Sequence, residues 1–255
     1  MKCKNPIIRQ YLLAMNINSP LEISRALLTA LSTTMFRYYE DRIPDDASVI
    51  VTSNHRSFMD APLLMAALSH PIRFACHHYM GQVPVMREFV THALGCFPLE
   101  AENQRYSSLL TQSETLLKSR QMVGLFPEGT KPMVNFTQPN QVAEFQRGFA
   151  HLALRCKVDN LAILPIAIAS IEEVNSSAIP LKFLTLFDPS EPLFNQPGWH
   201  PLVVYRRVAV LIGRPYWIKS HHREMYQGKK AKTVVSEISN YCRSEITGLL
   251  KEGIY

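Results

Sequence analysis

The sequence lacks both a long apolar run and a paired set of cysteines. No window approaches the roughly 20 apolar residues that cross a bilayer, so we expect a soluble or peripheral protein. The first 20 residues carry positive charge, but their apolar stretch is short and is interrupted by Arg9, which makes a poor signal peptide. The five cysteines are scattered, odd in number and without metal-ligand spacing. A disulfide framework or a zinc site is therefore not expected, and a reducing compartment is indicated.

Acidic residues are scarce in only one part of the chain. Residues 206–255 hold 10 Lys/Arg against 4 Asp/Glu, whereas the remainder holds 17 of each, so the net charge of +6 comes from this basic C-terminal segment. A basic surface attracts phosphates, anionic lipid headgroups, nucleic acid or acidic carrier proteins. An ordinary solvated helix would have the same composition. No recognisable nucleic-acid module accompanies the segment, so nucleic acid is not an expected partner.

Internal repeats and low-complexity tracts are also absent, and 255 residues with 47% hydrophobic composition suit one globular domain. From residue 48 onward, apolar runs alternate with helical patterns. This alternation predicts a single α/β domain with a central, mostly parallel mixed sheet flanked by helices. The apolar runs lie at 48–53, 72–78, 122–128 and 162–169, and the helical patterns at 60–69, 84–94, 104–120 and 144–157. We predict an N-terminal helical segment over 1–44 and a main domain over 45–255.

Amphipathic helices are predicted near both ends of the chain. The N-terminal one, over 20–39, gathers leucines on one side and either lies on a membrane or packs on the domain. The C-terminal one, over 229–251, has an apolar stripe. Between them, residues 184–205 show little periodicity and contain Pro, Gly and Trp199. This segment is predicted to be a long loop that either folds back onto the core or dips into a headgroup region.

Polar residues follow directly after the first apolar run, in TSNHRSFMD at 52–60. Ligands collect outside the carboxyl ends of strands in such sheets. His55 and Asp60 can meet if the strand ends near Ser53 and a helix begins around Asp60, with Pro62 in its first turn. An Asp that accepts Nδ1–H fixes the His tautomer and leaves Nε2 free to accept a proton. No serine or cysteine is placed by a comparable motif, so a substrate hydroxyl is the expected nucleophile, although a structural pair has the same spacing.

A second polar stretch, FPEGTK at 126–131, also ends an apolar run. Pro127 and Gly129 favour a turn, and the glycine allows a close approach of backbone to a ligand. Thr130 can donate a hydrogen bond, and Lys131 is a cation suited to phosphate. The same composition is also common in turns that bind nothing.

Together, NHRSFMD and FPEGTK closely resemble the motifs of the phospholipid/glycerol acyltransferase family, over roughly residues 45–170. The family's first motif is a His, four residues and an Asp, which the resemblance places at His55 and Asp60. Its third motif is Phe-Pro-Glu-Gly-Thr followed by Arg, and here Lys131 takes the last place. The Pro of LPIAI at 164–168 fits a weaker fourth element. The resemblance implies that the main domain is an acyltransferase.

The resemblance also implies a set of substrate-binding residues. An arginine in the family's second block is thought to bind the acceptor's phosphate, but Glu100 stands near that place and Arg105 is a late substitute. Arg147 precedes a helix N-terminus, which is either a natural anion site or only the cap and packing of that helix. Glu128 is expected to bind an acceptor hydroxyl or to orient Lys131 or Arg105. The implied substrate-binding residues are Glu128, Gly129, Thr130, Lys131, Arg105 and Arg147, and no metal site is implied.

The implied reaction moves a fatty acyl group from a thioester donor, either acyl carrier protein or coenzyme A, to the free hydroxyl of a lysophospholipid. The favoured acceptor is 1-acyl-sn-glycerol-3-phosphate. His55, which Asp60 orients, is expected to remove the proton of the acceptor hydroxyl. No bound cofactor is expected. The changed second block and Lys131 keep open an acceptor of another kind, such as a glycolipid, an amine lipid or an alcohol. A non-catalytic protein that binds lipid or an acyl carrier is a further alternative. We expect a cytoplasmic protein attached peripherally to the cytoplasmic, anionic face of a membrane.

Overall fold

The Val- and Ile-rich runs of the sequence form strands, and the segments between them form most of the helices. The structure is a computed structural model that describes residues 19–82, 87–100, 104–129, 137–180, 182 and 197–252. The strands are β1 Thr34–Tyr38, β2 Ser48–Ser53, β3 Ile72–Cys76, β4 Phe97–Pro98, β5 Met122–Leu125, β6 Leu161–Pro180, β7 Trp199–Ile212 and β8 Tyr216–Ile218.

Seven α-helices connect or flank these strands in the described residues. They are α1 Pro20–Ala30, α2 Asp60–Leu68, α3 His78–Gln82, α4 Arg105–Lys118, α5 Gly148–Arg155, α6 Ser220–Gln227 and α7 Ala231–Glu252. A 3₁₀ turn at Glu40–Arg42 and a π-helix at Arg87–Ala93 complete the helical segments. None of the helices in these ranges has the length and apolar character needed to cross a bilayer.

The strands form one mixed sheet in the order β1-β7-β6-β2-β5-β3-β4, with β8 paired to β6. The pairs β1–β7, β6–β2, β2–β5, β5–β3 and β3–β4 are parallel, while β6 is antiparallel to β7 and β8. The predicted α/β class with a mostly parallel mixed sheet and flanking helices is therefore confirmed.

Alternating residues of the central strands supply two separate hydrophobic clusters, one on each face of the sheet. Ile50 packs in the cluster covered by α4, α5 and α7, whereas Val49 and Val51 pack in the cluster covered by α1 and α2. This alternation follows from the two-residue period of a strand. Both faces of the central strands are buried, as a parallel sheet requires.

The N-terminal helix is shorter than the predicted 20–39 segment, and this prediction was wrong in its C-terminal half. Helix α1 begins after a capping box between Ser19 and Glu22 and ends at Ala30. Ser32 then adopts a φ of 53°, and residues 34–38 pair with β7 as an edge strand. Leu28 of α1 is buried against the domain, so this helix packs on the domain, and its contact with a membrane stays a prediction. The predicted boundary at residue 44 stays a prediction, although β1 lies in the central sheet.

The predicted loop over 184–205 is also wrong in part, because residues 199–205 belong to β7. Its residues 184–196 lie outside the described part of the chain. Beyond Ser170 of β6 and before Arg207 of β7, the two strands pair only with each other in the described residues. We call residues 171–180 and 199–206 the β6–β7 ribbon. Cross-strand pairing stabilises this segment, and single-strand periodicity does not reveal it.

Candidate active site

The two polar motifs lie at the carboxyl ends of adjacent strands. Strand β2 pairs with β5 in parallel, with Thr52 opposite Leu125, so the chain leaves both strands at the same edge of the sheet. The Asn54 side chain continues the β2–β6 ladder, because its Nδ2 donates to the Ile168 carbonyl at 2.9 Å and its Oδ1 accepts from the Ile168 N–H at 2.8 Å. Asn54 thereby fixes the point at which the chain turns away from the sheet.

After this turn, His55 and Asp60 form a direct contact. The His55 Nδ1 lies 2.8 Å from Asp60 Oδ2, and Asp60 is the first residue of α2. The side chain of Asp60 is fully buried, whereas that of His55 is 14% exposed. A carboxylate can only accept, so Nδ1 carries the proton and Nε2 is free to accept one. This is the pairing that the spacing predicts, although the roles of these residues remain predictions.

Asp60 receives three further hydrogen bonds besides that from His55. Its Oδ2 accepts from the backbone N–H groups of Arg56 at 2.7 Å and Ser57 at 2.8 Å, and its Oδ1 accepts from the Tyr205 hydroxyl at 3.0 Å. Burial and the nearby Asp60 raise the pKa of Tyr205 well above its ordinary value, so the phenol keeps its proton and donates. Four donors thus fix one carboxylate, and the carboxylate in turn fixes the imidazole.

The imidazole ring of His55 also stacks on two phenylalanine rings. Phe126 lies parallel to the imidazole, with ring centroids 4.1 Å apart and 14° between planes. Phe74 stacks on Phe126 at 5.0 Å and 8°. Strand β5 leaves room for Phe74 because it carries Gly124 at the point of contact, where an added Cβ would lie 2.2 Å from the Phe74 ring. The ring plane of His55 is therefore set by packing as well as by Asp60.

Glu128 joins the two motifs through backbone hydrogen bonds. Its Oε1 accepts from the His55 N–H at 2.9 Å, and its Oε2 accepts from the Ala143 N–H at 2.6 Å. Burial raises the pKa of Glu128, and the two backbone donors oppose this shift. Both carboxylate oxygens therefore have backbone partners, and the role expected for Glu128 in binding the acceptor or a cation stays a prediction.

Arg56 ties the first motif to the β6–β7 ribbon. Its guanidinium forms a bidentate pair with Glu173 at 2.7 and 2.9 Å, and it also donates to the Thr137 carbonyl. Burial alone would raise the pKa of Glu173, but hydrogen bonds from Arg56, Ser170 and Asn175 lower it to about 2. Ser57 adds a second tie, because its hydroxyl donates to the Val203 carbonyl at 2.6 Å.

The structure brings together only some of the predicted substrate-binding residues. Gly129 has a φ of 68°, which suits glycine, and lies against the side chain of Gln146. Arg147 follows Gln146 as the exposed N-cap of α5, while Arg105 opens α4 and is half-buried. Thr130 and Lys131 lie outside the described residues. Within the described ranges, no group of three or more His, Cys, Asp or Glu side chains could hold a metal ion.

Three contacts of the site were not anticipated from the sequence. Phe126 belongs to the third motif, so its position next to His55 could have been expected from the pairing of the two motifs. Glu173 and Tyr205 carry no local signal, because they lie on the β6–β7 ribbon, more than 110 residues after His55.

The arrangement is suited to provide a base. His55 is partly exposed and oriented, its Nε2 could take a proton, and Asp60 would stabilise the imidazolium that results. A hydroxyl brought next to Nε2 would become a nucleophile. These residues are therefore suited to the transfer of a group onto a substrate oxygen.

Comparison with known proteins agrees with this chemistry. The model of the acyltransferase family matches residues 36–169, which is more than half of the chain and includes both motifs. The crystal structure of the 1-acyl-sn-glycerophosphate (LPA) acyltransferase PlsC from Thermotoga maritima is similar in fold, with a TM-score of 0.58 and 18% sequence identity. The alignment covers 96% of this chain and 80% of that one. No curated protein matches the sequence.

Proposed function

Because this chain belongs to the acyltransferase family, we propose that it transfers a fatty acyl group from a thioester donor to the free hydroxyl of a lysophospholipid. The favoured acceptor is 1-acyl-sn-glycerol-3-phosphate. The observation that carries this proposal is the buried Asp60 carboxylate, which holds His55 at 2.8 Å and leaves Nε2 free. The shared fold of an LPA acyltransferase supports the same acceptor class.

The reaction proceeds by direct attack on the thioester. His55 Nε2 takes the proton of the acceptor hydroxyl while the oxygen bonds to the thioester carbonyl carbon, which becomes a tetrahedral oxyanion. The C–S bond then breaks, the carbonyl re-forms, and the leaving thiolate takes the proton from His55. Asp60 stabilises the imidazolium between these two proton transfers. No acyl-enzyme forms, and the only cofactor-like molecule is the coenzyme A or carrier-protein thioester, which is a co-substrate.

A different acceptor is the second candidate function. Glu100 is exposed just after β4, near the place where the family resemblance leads us to expect a phosphate-binding arginine. A carboxylate there repels a phosphate and favours a neutral or cationic acceptor such as a glycolipid, an alcohol or an amine lipid. His55 and Asp60 would act in the same way in the reaction with such an acceptor.

We propose that the protein works at the cytoplasmic face of an anionic membrane. Trp199 and Val174 of the β6–β7 ribbon are 55% and 51% exposed, and aromatic side chains favour the headgroup region. The basic C-terminal segment adds attraction of about 1 kcal/mol for each Lys or Arg near the surface. Co-sedimentation with anionic vesicles at low salt, and its loss at high salt, is the expected result. Failure to co-sediment at low salt would overturn this part of the proposal.

The experiment that tests the function measures transfer from acyl-carrier-protein and coenzyme A thioesters to a panel of lysophospholipids, lysoglycolipids, amines and alcohols. The control is a folded Asp60→Asn variant, in which the amide keeps hydrogen bonds but not the charge that stabilises the imidazolium. Transfer to 1-acyl-sn-glycerol-3-phosphate that falls by at least about 10²-fold in this variant supports the first candidate. Transfer only to another acceptor supports the second. No transfer to any acceptor would leave a non-catalytic binding protein.

A further inference from the structure

A cluster of cationic and aromatic side chains lies apart from the His55–Asp60 pair, where α4, α5 and α6 meet. Arg147, His151 and Arg155 recur at four-residue spacing and therefore share one side of α5. Arg147 and Arg155 are exposed, and His151 is half-buried. Tyr106 of α4 and Tyr226 of α6 pack against this side of the helix, with centroid distances to the His151 ring of 6.5 and 5.6 Å.

The hydroxyl of Tyr226 orients two members of the cluster. Arg155 Nε donates to the Tyr226 oxygen at 2.8 Å, and His151 Nδ1 lies 2.9 Å from the same oxygen. Because a guanidinium only donates, Tyr226 accepts from Arg155, and its own proton is then available to His151 Nδ1. When Tyr226 donates that proton, His151 is the tautomer with Nε2–H and is a further hydrogen-bond donor. Burial, together with Arg155 and Arg147, lowers the pKa of His151 and so favours its neutral form.

Tyr106 is the last member of the cluster, and its hydroxyl group lacks a hydrogen-bond partner among the described residues. The Arg155 guanidinium lies 5.3 Å from the centre of the Tyr106 ring. The Tyr106 hydroxyl oxygen is buried and has no hydrogen-bond partner among the described residues. A buried hydroxyl without a partner is costly, and a bound anion could accept a hydrogen bond from it.

The cluster carries positive charge without a matching carboxylate. Among the described residues, neither Arg147 nor Arg155 forms a salt bridge, and the electrostatic contacts of His151 are with these same two cations. Lys229 and Lys230 follow Tyr226 in the chain and are exposed. Groups of this kind, in the absence of acidic partners, favour a bound anion.

The cluster is connected to the active site by a short stretch of chain. Gln146 donates its backbone N–H to the Pro127 carbonyl at 2.8 Å, and its side chain lies against Gly129 of the third motif. Arg147 follows immediately, and Arg155 lies about 12 Å further along the axis of α5. The side of α5 that carries Arg147, His151 and Arg155, which we call the cationic side of α5, therefore begins next to the third motif and extends away from it.

We propose that Arg147, His151, Arg155, Tyr106 and Tyr226 form the binding site for the phosphate-bearing end of the acyl donor. This inference rests on the proposed function. In a pantetheine thioester, a long arm separates the reacting carbonyl from the nearest phosphate, and the cationic side starts beside the third motif and continues for about 12 Å along α5. A lysophosphatidic acid carries its phosphate close to the reacting hydroxyl, so its phosphate is suited to a contact nearer to His55 than the far end of α5. The phosphate of phosphopantetheine is common to coenzyme A and to acyl carrier protein.

The test is steady-state kinetics of an Arg155→Gln variant, with Lys157→Gln as the matched control. Lys157 is an exposed cation two residues further on, so the control removes the same charge outside the cluster. Arg155→Gln should raise the KM for the acyl donor about tenfold, the usual size for loss of one charge-assisted hydrogen bond, and leave kcat and the KM for the acceptor unchanged. Lys157→Gln should leave all three constants unchanged. Tyr226→Phe, which frees Arg155, should shift the same constant in the same direction.

An acyl-pantetheine donor that lacks phosphate gives the second arm of the test. Wild type and Arg155→Gln should use it equally, because the contact under test is absent from both. If Arg155→Gln raises the KM for both coenzyme A and carrier-protein thioesters, the site binds the phosphate that the two donors share. If it raises the KM for coenzyme A thioesters alone, the site binds the nucleotide phosphates of coenzyme A. An unchanged donor KM, or a raised KM for the lysophospholipid, would overturn the inference. If wild type transfers nothing, the proposed function fails instead, and the two failures are thus distinguishable.

Discussion

Asp60 takes four hydrogen bonds from two separate parts of the chain. The turn after β2 provides His55 and two backbone N–H groups, and β7 provides the Tyr205 hydroxyl. The local donors follow from the short spacing between His55 and Asp60. The distant donor, Tyr205, reaches Asp60 only through the tertiary fold. We therefore expect Tyr205 to be a positioning residue that acts on His55 through Asp60.

We predict that Tyr205→Phe moves the pH profile of the enzyme as well as its rate. Loss of the hydroxyl leaves Asp60 Oδ1 buried without its donor, so the carboxylate attracts the proton on His55 more strongly. The acid limb of kcat/KM should shift to higher pH, and kcat should fall about tenfold. The free energy of unfolding should fall by about 1–3 kcal/mol. The measurements are a pH–rate profile and urea unfolding.

The unfolding result alone would not identify a positioning role, because any buried hydroxyl contributes to stability. A Tyr205→Phe variant with a lower free energy of unfolding but an unchanged pH profile would show that Tyr205 is only structural.

At the scale of elements, the packing of β3 on β5 is coupled to the active site. Gly124→Ala would place a methyl group 2.2 Å from the Phe74 ring, which stacks on Phe126 and through it on His55. We expect this variant to lose about 1–3 kcal/mol of stability through overpacking and to lose activity as well. Phe74→Leu in the same chain should restore part of both.

The control for this substitution is Gly248→Ala in α7, where the added Cβ would meet no described atom within 4 Å apart from its chain neighbours and the backbone of its own helix. It should stabilise the helix by up to about 1 kcal/mol without changing activity. Equal effects of the two substitutions, measured by thermal unfolding and acyl transfer, would show that the ring stack does not support His55.

The β6–β7 ribbon is attached to the first motif by an ion pair, which predicts how stability depends on pH. The pKa of Glu173 is about 2 in the folded protein, below the ordinary 4.5. Its ionised form therefore stabilises the fold above pH 4.5, and this contribution is lost as the pH falls toward 2. Glu173→Gln should lower the free energy of unfolding by about 2 kcal/mol at pH 7, because Arg56 stays buried without its counter-charge.

The difference between wild type and Glu173→Gln should shrink between pH 4.5 and pH 3 in urea titrations. A difference that stays constant over this range would mean that the charge of Glu173 does not provide the stabilisation.

Sequence periodicity predicts the elements that are regular on their own, and it fails where distant strands decide the structure. Strand β2, helix α2 and the turn between them lie where the apolar run and the polar motif place them. The segment after Ala30 has one leucine, a methionine, aromatics and threonines, which suit either a helix or a strand, and pairing with β7 selects the strand. The ribbon was missed for the same reason, and Tyr205 and Glu173 with it.

At the scale of the whole molecule, the parallel sheet explains why the two motifs meet. Residues 61–125 separate them in sequence, but β2 and β5 are neighbours and end at the same edge. The family resemblance identifies His55 and Asp60, and the fold adds what the resemblance does not contain. These additions are the ring stack, the ribbon and the cationic side of α5.

The most direct test of the account compares acyl transfer to 1-acyl-sn-glycerol-3-phosphate by wild type, His55→Ala and His221→Ala, each shown to be folded. His221 is an exposed histidine on α6 and serves as the matched control. The account predicts a loss of at least about 10³-fold in kcat for His55→Ala, as expected when a general base is removed, and no change for His221→Ala. Transfer by His55→Ala at a rate close to that of wild type would contradict the account.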